Sequence, residues 1–337
     1  MNAPAQIQTD TALSPAQALW SMCEADMAAV DGLILERMHS PVGLIPDLAQ
    51  HLVGAGGKRL RPLLTVATAQ LCSYSGTAQH KLAAAVEFIH SATLLHDDVV
   101  DESDLRRGKK PANLIWGNSA SILVGDFLFA RAFNLMVETG SMDALGILSN
   151  AASVIAEGEV RQLAALRNLA MSESDYMDVI KAKTAELFAA ACEVSPVIGG
   201  LSERKRTALR DYGLKLGLAF QLVDDALDYG GAAAALGKNV GDDFREGKMT
   251  LPVIRTLETA DDEERAFWRR VVVERKQDEA DLGRAVAYLN DSGALDQTVQ
   301  MARRFSVEAI EALDIFPRSE LRDTLQNLAA FVVSRAS

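Results

Sequence analysis

Six aspartates stand in two groups of identical spacing, Asp97-Asp98-Val-Val-Asp101 and Asp224-Asp225-Ala-Leu-Asp228. On a helix turning about 100° per residue, Asp97 and Asp101 lie about 40° apart on one face, as do Asp224 and Asp228. Like charges one turn apart repel by roughly 0.2–0.5 kcal/mol even when exposed. Such repulsion is tolerated where a cation sits between the carboxylates. Hard oxygen donors without thiolate or imidazole point to Mg²⁺, which takes one or two carboxylates and completes its shell with water and substrate phosphate. A solvated acidic face neutralised by Arg106 and Arg107 would account for the first group alone. It does not account for the second, which recurs among Leu216, Phe220, Val223 and Leu227. Burying both groups without cations would cost several kcal/mol per charge. The pair predicts a shared Mg²⁺ site of more than one ion.

Bases surround these acids. Gly56-Gly57-Lys58-Arg59-Leu60-Arg61-Pro62 packs three cations into a turn bounded by Gly and Pro. It is not a P-loop, because Lys58 is followed by Arg59 and residue 52 is Leu. Lys58 and Arg61 are candidates for a phosphate clamp. Lys183-Thr184 follows apolar Ile180 and precedes Leu187 and Phe188, and Lys238 and Lys248 fall in a glycine-rich segment. Each lysine alone is more often solvated than functional. As a set they predict substrates with two polyphosphate groups, one bridged by metal and one held by cations directly. His96-Asp97 resembles the His-Asp pair of helical metal phosphohydrolases, but no further histidine completes that ligand set, so His96 reads as a core or supporting residue. His90 lies nearly above Asp97 and is the better candidate for touching phosphate.

The elements that must position these residues read as helices. Ser14-Pro15 is an N-cap and first-turn pair. Leu19, Cys23, Val30 and Ile34, and later Leu321, Leu325, Leu328 and Val332, recur at helical spacing. No series of alternating strand segments with hairpin turns appears. Most of the nine prolines read as helix boundaries, among them Pro41, Pro46, Pro62, Pro111, Pro196, Pro252 and Pro317. Tyr229 to Pro252 reads as one long loop, of the length that usually carries function. At 337 residues and 49% hydrophobic content the chain can bury a large core. One all-α domain is expected over residues 13–337, after a flexible tail at 1–12. A net charge of −12 argues against nucleic acid and anionic lipid as partners. Cys23, Cys72 and Cys192 are too few and scattered for a disulfide framework. The opening residues lack a secretory pattern. The uncharged stretch from Pro111 to Gly125 is too short to span a bilayer. A cytoplasmic protein with no stable membrane insertion is expected.

At its motifs the chain resembles the trans-polyprenyl diphosphate synthases, and among them the bacterial octaprenyl and decaprenyl type. The resemblance runs from about Leu33 to Ala330. It is carried by GGKRLRP at 56–62, FIHSATLLHDDVVDESDLRRG at 88–108, Gly158-Glu159 followed by Gln162, Lys183-Thr184, and FQLVDDALDYGG with GKNVGDDFREGK within 220–248. It implies a bundle of antiparallel helices around a deep central cavity, a homodimer, and condensation of isopentenyl diphosphate with an allylic diphosphate. It implies that Asp97, Asp101 and Asp224 hold Mg²⁺, with Asp98, Asp225 and Asp228 nearby as catalytic carboxylates. Arg106, Lys183, Thr184, Gln221 and Lys238 would contact the allylic diphosphate, with Lys248 a weaker candidate. Lys58, Arg61, His90 and Arg107 would hold isopentenyl diphosphate.

Product length in the family depends on what lies below the first motif. Thr93 and Ala92, four and five residues before Asp97, are small where short-chain relatives place aromatics. This implies an open tunnel and a product of about eight to ten units for quinone side chains. Phe129, Phe133 and Met136 are spaced to form a deeper floor, with Phe133 taken as its chain-length residue; plain core packing is an equal reading. Other readings are a geranylgeranyl-length synthase, a metal phosphohydrolase, a terpene cyclase or a non-catalytic partner subunit. The cyclase lacks support because DDALD stands where an Asn/Ser/Glu metal triad would be, and the inactive subunit because both motifs are intact.

Overall fold

Ser14 caps Pro15–Met22 (α1) reciprocally: its Oγ accepts the Gln17 amide at 3.3 Å and Gln17 Oε1 accepts the Ser14 amide at 2.9 Å. The structure, a computed structural model, describes residues 13–54, 59–101, 110–230 and 241–336. The expected tail at 1–12 and four candidate site residues, Lys58, Arg106, Arg107 and Lys238, lie outside the described residues. After α1 come Glu24–Arg37 (α2), Leu44–Gly54 (α3), Leu60–Leu71 (α4) and Ala78–Val100 (α5). Ala112–Trp116 (α6) leads to Asn118–Val137 (α7) and Met142–Ala165 (α8). Glu173–Ile180 (α9) passes through a π-turn, Lys181–Ala185, into Glu186–Ile198 (α10). Then follow Glu203–Tyr229 (α11), Asp242–Glu246 (α12), Leu251–Thr259 (α13), Asp262–Trp268 (α14), Asp281–Asp291 (α15), Ala294–Ala312 (α16) and Glu320–Ser334 (α17). No strand occurs among the described residues, as the helical periodicity requires.

Helix α10 is the axis of the packing. Every residue from Glu186 to Pro196 is buried, and the helix contacts α4, α5, α8 and α11. Small Ala189, Ala190 and Ala191 let these neighbours approach. Ser195 Oγ donates to Thr65 O at 2.8 Å, pinning α10 to α4. Its buried Glu193 and Glu186 are paired with Arg206 at 2.8 Å and Arg210 at 3.1 Å on α11, as buried charges must be. One continuous apolar cluster runs from Leu19 to Val333, with α1 packed on α17. The two aspartate-rich helices, α5 and α11, thus flank the same central helix.

Three details differ from the sequence reading. The glycine-rich segment is not loop throughout: Asp242–Glu246 is helical, while Pro252 marks the start of α13, as a helix boundary should. Pro196 lies inside the final turn of α10. Helix α7 runs straight through Gly125 to 20 residues, long and apolar enough by composition to cross a membrane. It carries Asp126 and Arg131, however, and buries Ser121, Val124, Gly125, Leu128 and Ala132 as it packs on α5.

Candidate active site

Both aspartate motifs occupy the last turn of their helices: α5 ends at Val100 and α11 at Tyr229. This is the negative end of the helix dipole, where each exposed carboxylate is disfavoured by about 0.3–1 kcal/mol. The fold therefore gathers the acids where they are least comfortable, and answers with lysines. Lys183 Nζ lies 2.7 Å from Glu159 Oε2 and 3.4 Å from Asp97 Oδ2. Lys248 Nζ lies 3.3 Å from Asp101 Oδ2 and is also paired with Glu246. Burial pulls both ammonium groups down, but the surrounding carboxylates outweigh it and leave their pKa values raised. Glu159 is itself raised, by burial against the pull of Lys183, with Asp97 adding to the rise.

Within each motif the middle aspartate turns away from the other two. Asp98 is buried, whereas Asp97 and Asp101 remain partly exposed on one face. In the same way Asp225 is buried while Asp224 and Asp228 share the open face. Asp225 Oδ2 accepts the Tyr176 hydroxyl and Oδ1 accepts Gln221 Nε2 at 2.7 Å. Burial pushes its carboxyl up to about 7, with those two hydrogen bonds opposing and Asp224 and Asp228 reinforcing the rise. Gln221 Oε1 in turn accepts Thr184 Oγ1 at 2.8 Å. Asp228 receives the backbone amides of Asp242 and Asp243 at 3.2 and 3.0 Å, which fastens the start of α12 to the motif. Gly241, at φ 83°, makes the left-handed entry to that helix that a side chain would resist. Asp243 is held well above the usual carboxylate range by burial and by Asp225 and Asp228. Arg335, at the end of α17, approaches Asp224 to 3.9 Å.

A second cationic group lies on α4 and α5. Arg61 Nη1 is 3.2 Å from His90 Nε2, and its guanidinium stacks 4.3 Å from the Phe188 ring centroid. Arginine only donates, so His90 accepts at Nε2 and carries its proton on Nδ1. Arg59 of the same basic turn is engaged with Asp31 on α2. His96 faces α7: Nε2 lies 3.2 Å from Ile122 O, the ring stacks on Phe129, and a Cβ at Gly125 would come within 2.3 Å of Nε2. Its ring is thus packed against α7, and Nε2 also lies 3.6 Å from Asp126 Oδ1. Thr93 is partly exposed below Asp97, while Ala92 is sealed at 0% exposure. Phe133 is a correction. It is 40% exposed on the outer side of α7 and forms no floor within the chain, whereas Met136 is fully buried.

Gln162, Lys183, Thr184, Gln221, Asp225, Asp243 and Lys248 form the polar side of a cavity of about 130 Å³, and Leu166, Met171, Val179, Ile180 and Met249 its apolar side. The structure thus links Asp97, Asp101, Lys183, Thr184, Gln221, Asp225 and Lys248 through these contacts and the cavity wall, and pairs Arg61 with His90 on α4 and α5. Sequence reasoning gave no role to Glu159, Tyr176, Asp243 or Arg335. Tyr176 stands two helical turns before Lys183, a same-face spacing that a search for buried partners of the lysine would have caught.

No cluster of three or more His, Cys, Asp or Glu forms a closed metal cage among the described residues. The donor set still fits a divalent ion of the Mg²⁺ kind. Asp97, Asp101 and Asp224 are partly exposed oxygen donors at helix ends, and such an ion takes few carboxylates and shares the rest of its shell with phosphate. The thiols offer no rival site: burial raises Cys23 and Cys72 to about 12 and Cys192 further.

Residues 42–289 match the family model described as polyprenyl synthetase. The chain is similar to the octaprenyl diphosphate synthase of Escherichia coli strain K12, 46% identical over 310 residues that cover 92% of this chain and 96% of the relative. Its fold is similar to a polyprenyl synthase from Caulobacter crescentus CB15 complexed with calcium and isoprenyl diphosphate. That likeness has a TM-score of 0.92 at 57% identity and covers 96% of this chain and 98% of that one. A decaprenyl diphosphate synthase from Rhodobacter capsulatus also gives a TM-score of 0.92, at 53% identity, covering 96% of this chain and all of that one.

Proposed function

The chain belongs to the polyprenyl synthetase family, and from that premise we propose that it builds a long all-trans polyprenyl diphosphate. It adds isopentenyl diphosphate head-to-tail to an allylic diphosphate, farnesyl diphosphate first, to about eight to ten units, the range spanned by its octaprenyl and decaprenyl relatives. The observation that carries this reading is Lys183 at the first carboxylate turn, Thr184 tied through Gln221 to the second, and an Arg61–His90 pair on α4 and α5. Two anionic substrates need two such places, one of which must also accept metal.

Asp97, Asp101 and Asp224 would hold Mg²⁺, which when bound supplies the positive charge that stabilises a departing diphosphate. Lys183, Thr184 and Gln221, with Arg106 and Lys238, orient the allylic diphosphate for ionisation. Lys58, Arg61, His90 and Arg107 hold the isopentenyl diphosphate with its double bond toward the allylic carbon. The C–O bond breaks, the new C–C bond forms at the allylic carbon, and the proton lost from the isopentenyl unit goes to the departing diphosphate. Leu166, Met171, Val179 and Ile180 keep water from the reacting carbon. Asp225, tied to Tyr176 and Gln221, fixes the second motif rather than reaching the open face. The outer faces of α7 and α8, with Ile122, Leu123, Phe133, Val137, Val160 and Leu163 exposed, are read as the seam of a homodimer.

Purified protein incubated with Mg²⁺, labelled isopentenyl diphosphate and farnesyl diphosphate is expected to give a prenyl ladder ending near eight to ten units. Chelation should abolish it. Phosphate release without condensation would overturn the reading, and a ladder stopping at four units would overturn its length.

A further inference from the structure

The helix that carries Lys183 is not regular where it matters. Lys181–Ala185 is a π-turn between α9 and α10, a feature frequent at functional sites; a second π-turn, Arg269–Val273, lies elsewhere in the chain. Two consecutive residues of this turn serve different neighbours. Lys183 reaches Glu159 on α8 at 2.7 Å and Asp97 on α5 at 3.4 Å, while Thr184 reaches Gln221 on α11 at 2.8 Å.

Glycines press on this turn from both flanks. A Cβ at Gly158 of α8 would lie 2.8 Å from Ala182 Cβ and 3.1 Å from Lys183 N. A Cβ at Gly217 of α11 would lie 2.7 Å from Ala185 Cα and 3.1 Å from Ala185 Cβ. Glycine inside a helix is otherwise unfavourable relative to alanine, so its presence here reflects close approach. The placement is also specific. Gly158 directly precedes Glu159, the partner of Lys183, and Gly217 stands one turn before Gln221, the partner of Thr184. The contacts that set the depth of the π-turn are adjacent to the hydrogen bonds that aim its two polar side chains.

We propose that Gly158 and Gly217 are positioning residues for the transferase reaction: they seat the π-turn between α8 and α11 at the depth from which Lys183 and Thr184 meet the allylic diphosphate. This rests on the reading of Lys183 and Thr184 as diphosphate contacts. A methyl at either glycine pushes the turn back by about 0.6 Å or more, since ordinary contact begins at 3.4 Å. Displacements near 1 Å in a reacting site cost about 100-fold in rate.

The test compares Gly158→Ala, Gly217→Ala, Gly158→Ala with Ala182→Gly, and Lys183→Ala as reference. Each is assayed for kcat and for KM toward farnesyl and isopentenyl diphosphate, well below its own melting temperature. Each glycine variant should raise the farnesyl diphosphate KM about ten-fold or more and lower kcat, with the isopentenyl KM within about two-fold of the parent. Adding Ala182→Gly to Gly158→Ala should restore most of the loss, because the atom nearest the new methyl is removed. An unchanged allylic KM, or a loss shared equally by both substrates, overturns the positioning role. If Lys183→Ala leaves the allylic KM unchanged, the reading of that contact fails and the proposal falls with it. Should Gly217→Ala not fold, Gly158→Ala and its double variant decide the matter alone.

Discussion

Asp225 shows what burial does to one carboxylate of a functional pair. Both oxygens are taken by protein donors, yet burial still lifts the group to about 7. Its unfolded value is roughly 3.9, so folding takes up a proton between about pH 4 and 7. Stability contributed by that proton is present at the low end of the window and is lost as pH rises through the folded value. Above pH 7 the buried charge opposes folding by on the order of a few kcal/mol. In chelator-treated protein, Asp225→Asn should therefore flatten the fall in melting temperature between pH 5 and 8. Equal slopes in parent and variant would show that Asp225 is ionised throughout. The spacing alone told which aspartates share a face, because helical geometry is local. It did not reveal Glu159, Tyr176 or Asp243, because each approaches the motifs from another element and depends on how helices pack.

Helix α7 marks the corresponding limit at the level of elements. Its helical character was readable, but apolar residues occur on all sides of it, so periodicity does not say which face meets the core. The spacing of Phe129, Phe133 and Met136 suggests one inward face, yet Phe133 lies outward, while Ser121, Val124, Gly125 and Leu128 face α5. The exposed Ile122, Leu123 and Val137 leave a surface that a second copy would cover. Leu123→Arg should then shift the protein from dimer to monomer in sedimentation velocity while its helical circular dichroism stays unchanged. A parent protein already monomeric at micromolar concentration, or a variant still dimeric, would refute the seam. Segment 241–251 carries a related lesson. The glycines and acids there suggest an open loop, but Asp228 accepts two of its amides and so pays for the short helix α12.

At the scale of the molecule, a long product needs a path away from the two aspartate motifs. The cavity of about 130 Å³ beside Lys183 is smaller than the roughly 300–1,000 Å³ of a pocket for a drug-sized ligand. A chain of eight or more isoprene units does not fit in that cavity and needs a further path. Helix α5 offers the route, since one turn below Asp97 is Thr93, on the same face and still partly exposed. Each further turn adds about 5.4 Å, so the distance from the first motif to the first large obstacle measures the product. Thr93→Phe should place that obstacle one turn down and end the ladder several units short, with turnover of farnesyl diphosphate retained. Ala92→Phe is different, because Ala92 is sealed among core residues. There the ring must force the packing apart, at a cost of about 1–3 kcal/mol, visible as a lower melting temperature. A shortened ladder from Thr93→Phe at near-parental stability would locate the growing chain along α5. A full-length ladder from the same variant would mean that the chain leaves the site by the apolar side of the cavity, past Met171 and Val179.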